Sequence, residues 1–421
     1  MKLINKIKNN AALFVIAGVL FASCNKVLET PIPIVIPPNP ASGISLAATI
    51  TANADDSLFN RLVIRTNTQF RIDNKLNRYT VFVPNNAAMR NFVNAASGGL
   101  IPVASPDAVH SNFLNTTLPI AVAGVIVNYN ISPQEVTSAT ITSTFPNFAY
   151  PSNVNPNPMA SGLLRLNVYP SKRSNGAWLN NIPLVPGIDV AAANGVIHHT
   201  AEVTAMPFSP LWSRINTDAD MTYLKAAILR ADSGTTSTPG TLNSASLQSV
   251  LTEFGPNLTV FAPTNAAFIA TLTGAIYQGL VAQGFPAGAG TLATATALAT
   301  ATDANGPTVF RNPLLFSVLT CQAVQGIVIY HVLGDRAFSV NFPTTTTNIP
   351  TLLNRAVPTH PGVGITATFT GPGVTAITVK GLGNPSAFPV SVNPTPNPFG
   401  ASDQHFINGV LHKLNGVLLP Q

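Results

Sequence analysis

The groups that could carry acid–base or metal chemistry are 7 histidines and 15 acidic residues. No spacing among them matches a metal motif. His198 and His199 are neighbours on an expected strand, so their side chains leave opposite faces and cannot share one ion. Asn194-Gly195-Val196-Ile197-His198 returns as Asn408-Gly409-Val410-Leu411-His412. His198 and His412 thus hold equivalent places, and each is expected to be a buried imidazole bonding nearby backbone. His331 follows Tyr330 in a stretch whose counterpart ends Tyr129-Asn130. Asparagine keeps the hydrogen bonding of histidine but not its titration near neutral pH. A catalytic role common to both copies is therefore not expected. Asp403 with His405 could hold a metal weakly; a solvated loop is the expectation. There is no Gly-x-Ser-x-Gly elbow and no Gly-x-x-x-x-Gly-Lys cradle. Gly371-Pro372-Gly373 and Gly381-Leu382-Gly383 read as turns. Asp55-Asp56 and Asp218/Asp220 precede helices, where they favour the positive end of the dipole. The sequence points to no catalytic residue, no metal site, no cofactor and no enzyme.

The elements that position these residues occur twice. Thr259–Phe268 reads Thr-Val-Phe-Ala-Pro-Thr-Asn-Ala-Ala-Phe, and Thr80–Met89 matches it at 7 of 10 positions. Thr-Val-Phe favours a strand, and Pro84 and Pro263 end its ladder because they lack an N–H. Asn85 or Asn86, and Thr264 or Asn265, are placed to cap a following helix. Asp55 to Arg65 resembles Asp220 to Arg230, and Ile126–Asn130 resembles Ile327–His331. Four blocks in one order, twice, indicate two homologous domains.

These motifs resemble the fasciclin domain family. The first resembles Thr-Val-Phe-Ala-Pro-Thr-Asn-x-Ala-Phe, the middle one Tyr-His at Tyr330-His331, and the last Asn-Gly-x-Ile-His with a later proline at 194–207 and 408–420. The chain departs at Met89, at Asn130, and at Lys413-Leu414-Asn415, where an acidic residue is common. The resemblance implies an α+β fold of two tandem domains, each a β-sheet wedge or sandwich flanked by helices. It also implies adhesion to an extracellular protein or glycan ligand, with Tyr330, His331 and, in part, Tyr129 as possible partner-binding residues. A glycan- or nutrient-capturing envelope lipoprotein is the alternative.

Lys2, Lys6 and Lys8 precede an apolar run, Ala11 to Ala22, too short for a bilayer core of about 30 Å. Residues 1–23 read as a signal peptide. Phe21-Ala22-Ser23-Cys24 resembles a bacterial lipobox, which makes Cys24 the expected lipidation site and membrane anchor; ordinary cleavage leaving a free Cys24 is the alternative. Residues 24–43 carry Pro31, Pro33, Pro37, Pro38 and Pro40. At ~3.1 Å per residue in polyproline II, such a tether reaches roughly 50–60 Å; an unstructured leader is the other reading. The domains are expected at 44–207 and 208–421, joined by a short link near Met206-Pro207-Phe208-Ser209-Pro210 that suggests restrained domains. The expected location is the bacterial envelope, as an outer-membrane lipoprotein facing the periplasm or the outside.

Charged residues make up 9% of the chain, against roughly 25% in typical soluble domains. The surface must then be covered by Thr, Ser, Asn and Pro. Of the formal net charge of +6, Lys2, Lys6 and Lys8 supply half. Beyond Lys172-Arg173 no basic cluster exists, so nucleic-acid binding lacks its electrostatic footprint.

Amphipathic helices are expected at Leu58 to Arg65 and Tyr223 to Arg230. In the second, Tyr223, Leu224, Ala227, Ile228 and Ala231 share one face. Ser105–Leu118 and Pro313–Gln325 read as later helices, with Cys321 packed in the core. Leu163–Val168, Gly364–Phe369, Ala376–Lys380 and Val410–Leu419 read as strands. Asn-Gly at 194–195 and 408–409 signals tight turns with positive φ. The second domain has an insert, Ala287–Asn305, expected as a surface loop with partial helix, either a binding loop or neutral drift. Asn147–Asn157 and Asn393–Phe399 read as loops.

Overall fold

The computed structural model describes residues 42–421, apart from 142–146, 160, 186–187, 234–245 and 393–399. The expected signal peptide, Cys24, most of the expected tether and the loop expected at 393–399 lie outside the described residues.

The chain forms two tandem α+β domains, each built around one strand. In the first, Tyr79–Pro84 is buried along its whole length. It alternates its side chains, as a strand must. Val81 and Val83 enter a core with Leu58, Phe59, Leu62 and Val63 of helix Ser57–Arg65. Phe82 enters a separate core with Tyr129, Leu166, Val168 and Leu179. The second domain repeats this. Val260 and Ala262 of Leu258–Pro263 face the helices, while Phe261 faces a β-rich core with Tyr330, Phe342, Val363 and Ile377. Helices cover one face of each wedge and strands the other.

Each opening strand pairs in parallel with the closing strand of its own domain. Thr80, Phe82 and Pro84 lie opposite Val196, His198 and Thr200. Thr259, Phe261 and Pro263 lie opposite Val410, His412 and Leu414. Both prolines end their strands, and Asn85 and Thr264 cap the helices that follow, through Ala88 N and Ala267 N. In the first domain the sheet order is Ile131–Ser132, Tyr79–Pro84, Gly195–Thr200, Val190–Ala192. In the second the sheet continues from the closing strand through Phe388–Val390, Gly373–Lys380 and Val363–Thr370 to Thr347–Ile349.

Several expectations are corrected. The Asn-Gly turns sit one residue earlier, with Ala192 paired to Gly195 and Phe406 to Gly409. Neither asparagine has a positive φ. The glycine is needed because its backbone touches the opening strand: a Cβ on Gly195 would lie 1.8 Å from the Tyr79 carbonyl oxygen, and one on Gly409 would lie 2.4 Å from that of Leu258. Pro313–Gln325 is not one helix. A 3-10 turn at Pro313–Leu315 stops, and a new helix, Cys321–Tyr330, starts from the cap Thr320. Cys321 is therefore the first residue of a helix and only partly buried, near the Ser233 hydroxyl at 3.2 Å. Of Leu163–Val168 only Asn167–Val168 pairs as a strand, and Leu163 is exposed.

The insert is more ordered than a loop. It forms helix Ala289–Thr300, then a small hairpin with Thr302–Asp303 paired to Gly306–Pro307. Alanine is the best helix former. Thr294, Thr296 and Thr300 return their hydroxyls to the carbonyls of Gly290, Leu292 and Thr296, which suits threonine inside a helix. Its Ala295 and Ala299 enter the core of the second domain beside Phe268, Leu272 and Ile276 of helix Asn265–Ala282.

The two domains pack on each other. Trp178, fully buried on strand Gly176–Leu179, donates its Nε1–H to Pro372 O at 3.0 Å and lies against Phe369. It shares a small apolar cluster with Tyr169, Phe338, Val340 and Val410. Arg173 Nη2 donates to Asn341 O at 2.6 Å and Phe342 O at 2.7 Å.

Candidate functional site

The residues singled out as possible partner contacts are structural in their surroundings. Tyr129 and Tyr330 are fully buried and His331 is 1% exposed. Each tyrosine ends the last helix before the β half of its domain. Tyr129 donates to Asn167 O at 3.0 Å, and Tyr330 to Gly362 O at 2.7 Å. Tyr330 also accepts from Leu382 N at 3.0 Å and meets the His360 ring edge-on. Burial raises the pKa of both hydroxyls. Leu382 is itself 59% exposed.

His331 Nε2 accepts from Leu418 N at 2.8 Å, so the ring proton is on Nδ1 and donates to Ile327 O at 2.8 Å. Burial pushes its pKa down to about 4. Asn130 Nδ2 donates to Ile126 O at 2.9 Å, the equivalent carbonyl. The substitution preserves one bond and removes the titration, as the residue types imply.

His198 and His412 are buried imidazoles held by backbone. His198 Nε2 donates to Val136 O at 2.7 Å and Nδ1 accepts from Asp189 N at 3.3 Å. His412 does the same with Ala337 O at 3.0 Å and Asp403 N at 3.3 Å. Burial lowers both pKa values. His199 leaves the opposite face and lies 3.0 Å from Asp56, whose hydrogen bond raises the His199 pKa. At the matching place Lys413 pairs with Asp218 at 2.9 Å.

The sequence does not single out Asp189, and it singles out Asp403 only beside His405 as a weak metal ligand. Asp189 and Asp403 both adopt a positive φ, 65° and 52°. Asp403 accepts from Ser339 N at 2.6 Å and Ser339 Oγ at 2.5 Å. Asp189 does so from Ser138, with a 2.7 Å bond to the amide. The signal was present: each aspartate precedes its histidine by the same interval, and each serine follows its tyrosine by the same interval. Asp403 is therefore buried, not part of a solvated loop. His405 accepts from Arg336 Nη1 at 2.6 Å and is held neutral by burial and by that charge. Among the described residues, no three His, Cys, Asp or Glu side chains gather where a metal ion could sit.

Arg336 is a further residue that sequence reading missed. It is 3% exposed and donates to Asn257 Oδ1, Phe406 O and Ile407 O, with its guanidinium over Tyr169 of the first domain. Burial lowers its pKa. The polar residues that recur between the domains are thus used to hold the scaffold.

The fasciclin domain model matches residues 55–204. A FAS1 domain pair from the insect cell adhesion molecule fasciclin I is similar over 87% of this chain and 97% of that chain, at 14% identity and a TM-score of 0.30. No curated protein matches the chain. Residues 55–204 are a fasciclin domain, and the second half repeats its strand pairing and its buried hydrogen bonds. The chain thus carries a fasciclin domain at residues 55–204, followed by a second α+β domain with the same parallel pairing of opening and closing strands.

Proposed function

We propose that this is an adhesion protein of a bacterial envelope, anchored in the outer membrane by lipid on Cys24 and facing the periplasm or the outside. It acts by contact with a protein or glycan, not by catalysis. The observation that carries this reading is the use of the recurring polar residues. His198, His412, Tyr129, Tyr330, Asn194 and Asn408 all bond backbone inside the fold. Binding then falls to surfaces and loops carried by a rigid scaffold. Two modules on one tether raise avidity without new contacts.

Protease shaving of intact cells, followed by detection of peptides from 80–89 and 259–268, tests the outward-facing form of the reading. Release of these peptides without lysis supports exposure; their appearance only after lysis assigns the protein to the periplasmic side. Replacing Cys24 by Ser tests the anchor: the protein is expected in the soluble fraction, and retention in the membrane overturns lipid attachment. Glycan or nutrient capture is the second reading, favoured by the large groove in the second domain.

A further inference from the structure

Helix Thr222–Asp232 has two working faces. Tyr223, Leu224, Ala227, Ile228 and Ala231 fill the core. Thr222, Lys225, Ala226, Leu229 and Arg230 form the wall of a groove of about 970 Å³, closed on its other side by the hairpin of the insert. Among the described residues, the first domain has no matching hairpin.

The groove is positively charged, and two of its cations keep donors that have no partner among the described residues. Lys225 is half-buried and makes no hydrogen bond or ion pair among the described residues. Arg230 lies over the Phe316 ring, its guanidinium carbon 3.8 Å from the centroid, and uses only Nε, on Leu319 O at 3.1 Å. The matching Arg65 instead directs Nη1 to the carbonyls of Leu114 and Leu118. Among the described residues, Arg230 therefore keeps both Nη groups available where Arg65 does not. Arg311 on the far wall is neutralised by Asp303 at 2.8 Å. Two uncompensated cations remain, with an apolar strip that includes Leu229, 43% exposed, and Phe316, 37% exposed. Thr222, whose hydroxyl donates to Asn265 Oδ1 at 3.2 Å, and Asn305 also line the groove.

We propose that this groove binds an acidic oligosaccharide, a chain of sugar rings carrying carboxylates. A pyranose ring offers an apolar face to the strip and hydroxyl edges to the polar groups. A carboxylate matches the guanidinium fork and the ammonium, which make the stronger, charge-assisted hydrogen bonds. The volume suits a short chain rather than a single ion. This rests on the reading of the chain as a binding protein, and it assigns the binding to the second domain.

The test is calorimetric titration of the intact chain with trigalacturonate, its methyl ester and a neutral trisaccharide. Trigalacturonate is expected to bind and the other two to bind at least about tenfold more weakly, the equivalent of one charge-assisted hydrogen bond. Lys225→Gln and Arg230→Lys should each weaken trigalacturonate to a similar degree. Arg61→Gln, on the first domain, should leave it unchanged. Thermal melts of the variants separate lost binding from lost folding. Equal affinity for acid and ester, no binding of the acid, or an unaltered Lys225→Gln variant overturns the proposal. Cell adhesion by the parent chain without any trigalacturonate binding leaves the adhesive reading standing while the acidic ligand falls. Trigalacturonate binding without any adhesion supports the groove and removes adhesion.

Discussion

The guanidinium carbon of Arg336 lies 4.7 Å from the centre of the Tyr169 ring, so a buried charge of the second domain rests on an aromatic face of the first. The same ring reaches Asn257 Oδ1, which Arg336 Nε also holds at 2.6 Å. With the bonds of Trp178 and Arg173, this contact joins the two domains.

Trp178→Ala should uncouple the domains. The lost burial and cavity cost about 3–5 kcal/mol, and the Pro372 carbonyl loses its donor. Calorimetry is expected to show one unfolding transition in the parent and two in the variant. A single transition at a slightly lower temperature would mean that the domains do not rely on this contact.

His331 sets an acid limit. Its folded pKa of about 4 lies below the ordinary value of 6.5. Above pH 6.5 both folded and unfolded forms are neutral and the full stability is present. As pH falls from 6.5 towards 4, the unfolded chain takes up a proton that the folded chain refuses. Stability then drops by up to about 3 kcal/mol. His331→Asn keeps the bond to Ile327 O but orphans Leu418 N, which costs about 1–3 kcal/mol at neutral pH. Urea midpoints between pH 4.5 and 7.5 should fall less steeply in the variant than in the parent.

His199 has the opposite sign. Its bond to Asp56 raises its pKa above 6.5, so its contribution is complete below pH 6.5 and is lost as pH rises through the folded value. His199→Lys places there the residue type that Lys413 supplies in the second domain, where it pairs with Asp218. The variant should keep its stability from pH 6 to pH 8.5, where the parent loses some. Parallel pH profiles for the two proteins would contradict the pairing.

Gly195→Ala should be severely destabilising, because the new Cβ meets the Tyr79 carbonyl oxygen at 1.8 Å. Gly326→Ala, inside helix Cys321–Tyr330 with nothing within 4 Å, should stabilise by roughly 0.5–1 kcal/mol. Melting temperatures that shift in the same direction would refute the close-approach explanation for the Asn-Gly motif.

Local rules carried much of the fold. The proline stops, the caps Asn85 and Thr264, and the buried face of Tyr223, Leu224, Ala227, Ile228 and Ala231 all follow from neighbours a few residues apart. Partners remote in sequence were not legible. The parallel pairing of Thr80 with Val196 depends on the whole domain closing. The Gly195 constraint comes from a strand more than a hundred residues earlier. Arg336 looked like any loop arginine, because its value arises only when a tyrosine of the other domain arrives beneath it. The insert was legible in part: a partial helix is the expectation, and the helix runs over most of it because its threonine hydroxyls bond the preceding turn. Tyr330 and His331 stood out by motif, yet their chemistry is turned inward.

Adhesion is the central claim, and beads coated with residues 42–421 test it most directly. Beads carrying the tandem pair should adhere to cells, or to one another, more strongly than beads carrying the first domain at equal density. Adhesion no greater than that of albumin-coated beads, with either form, would contradict the account.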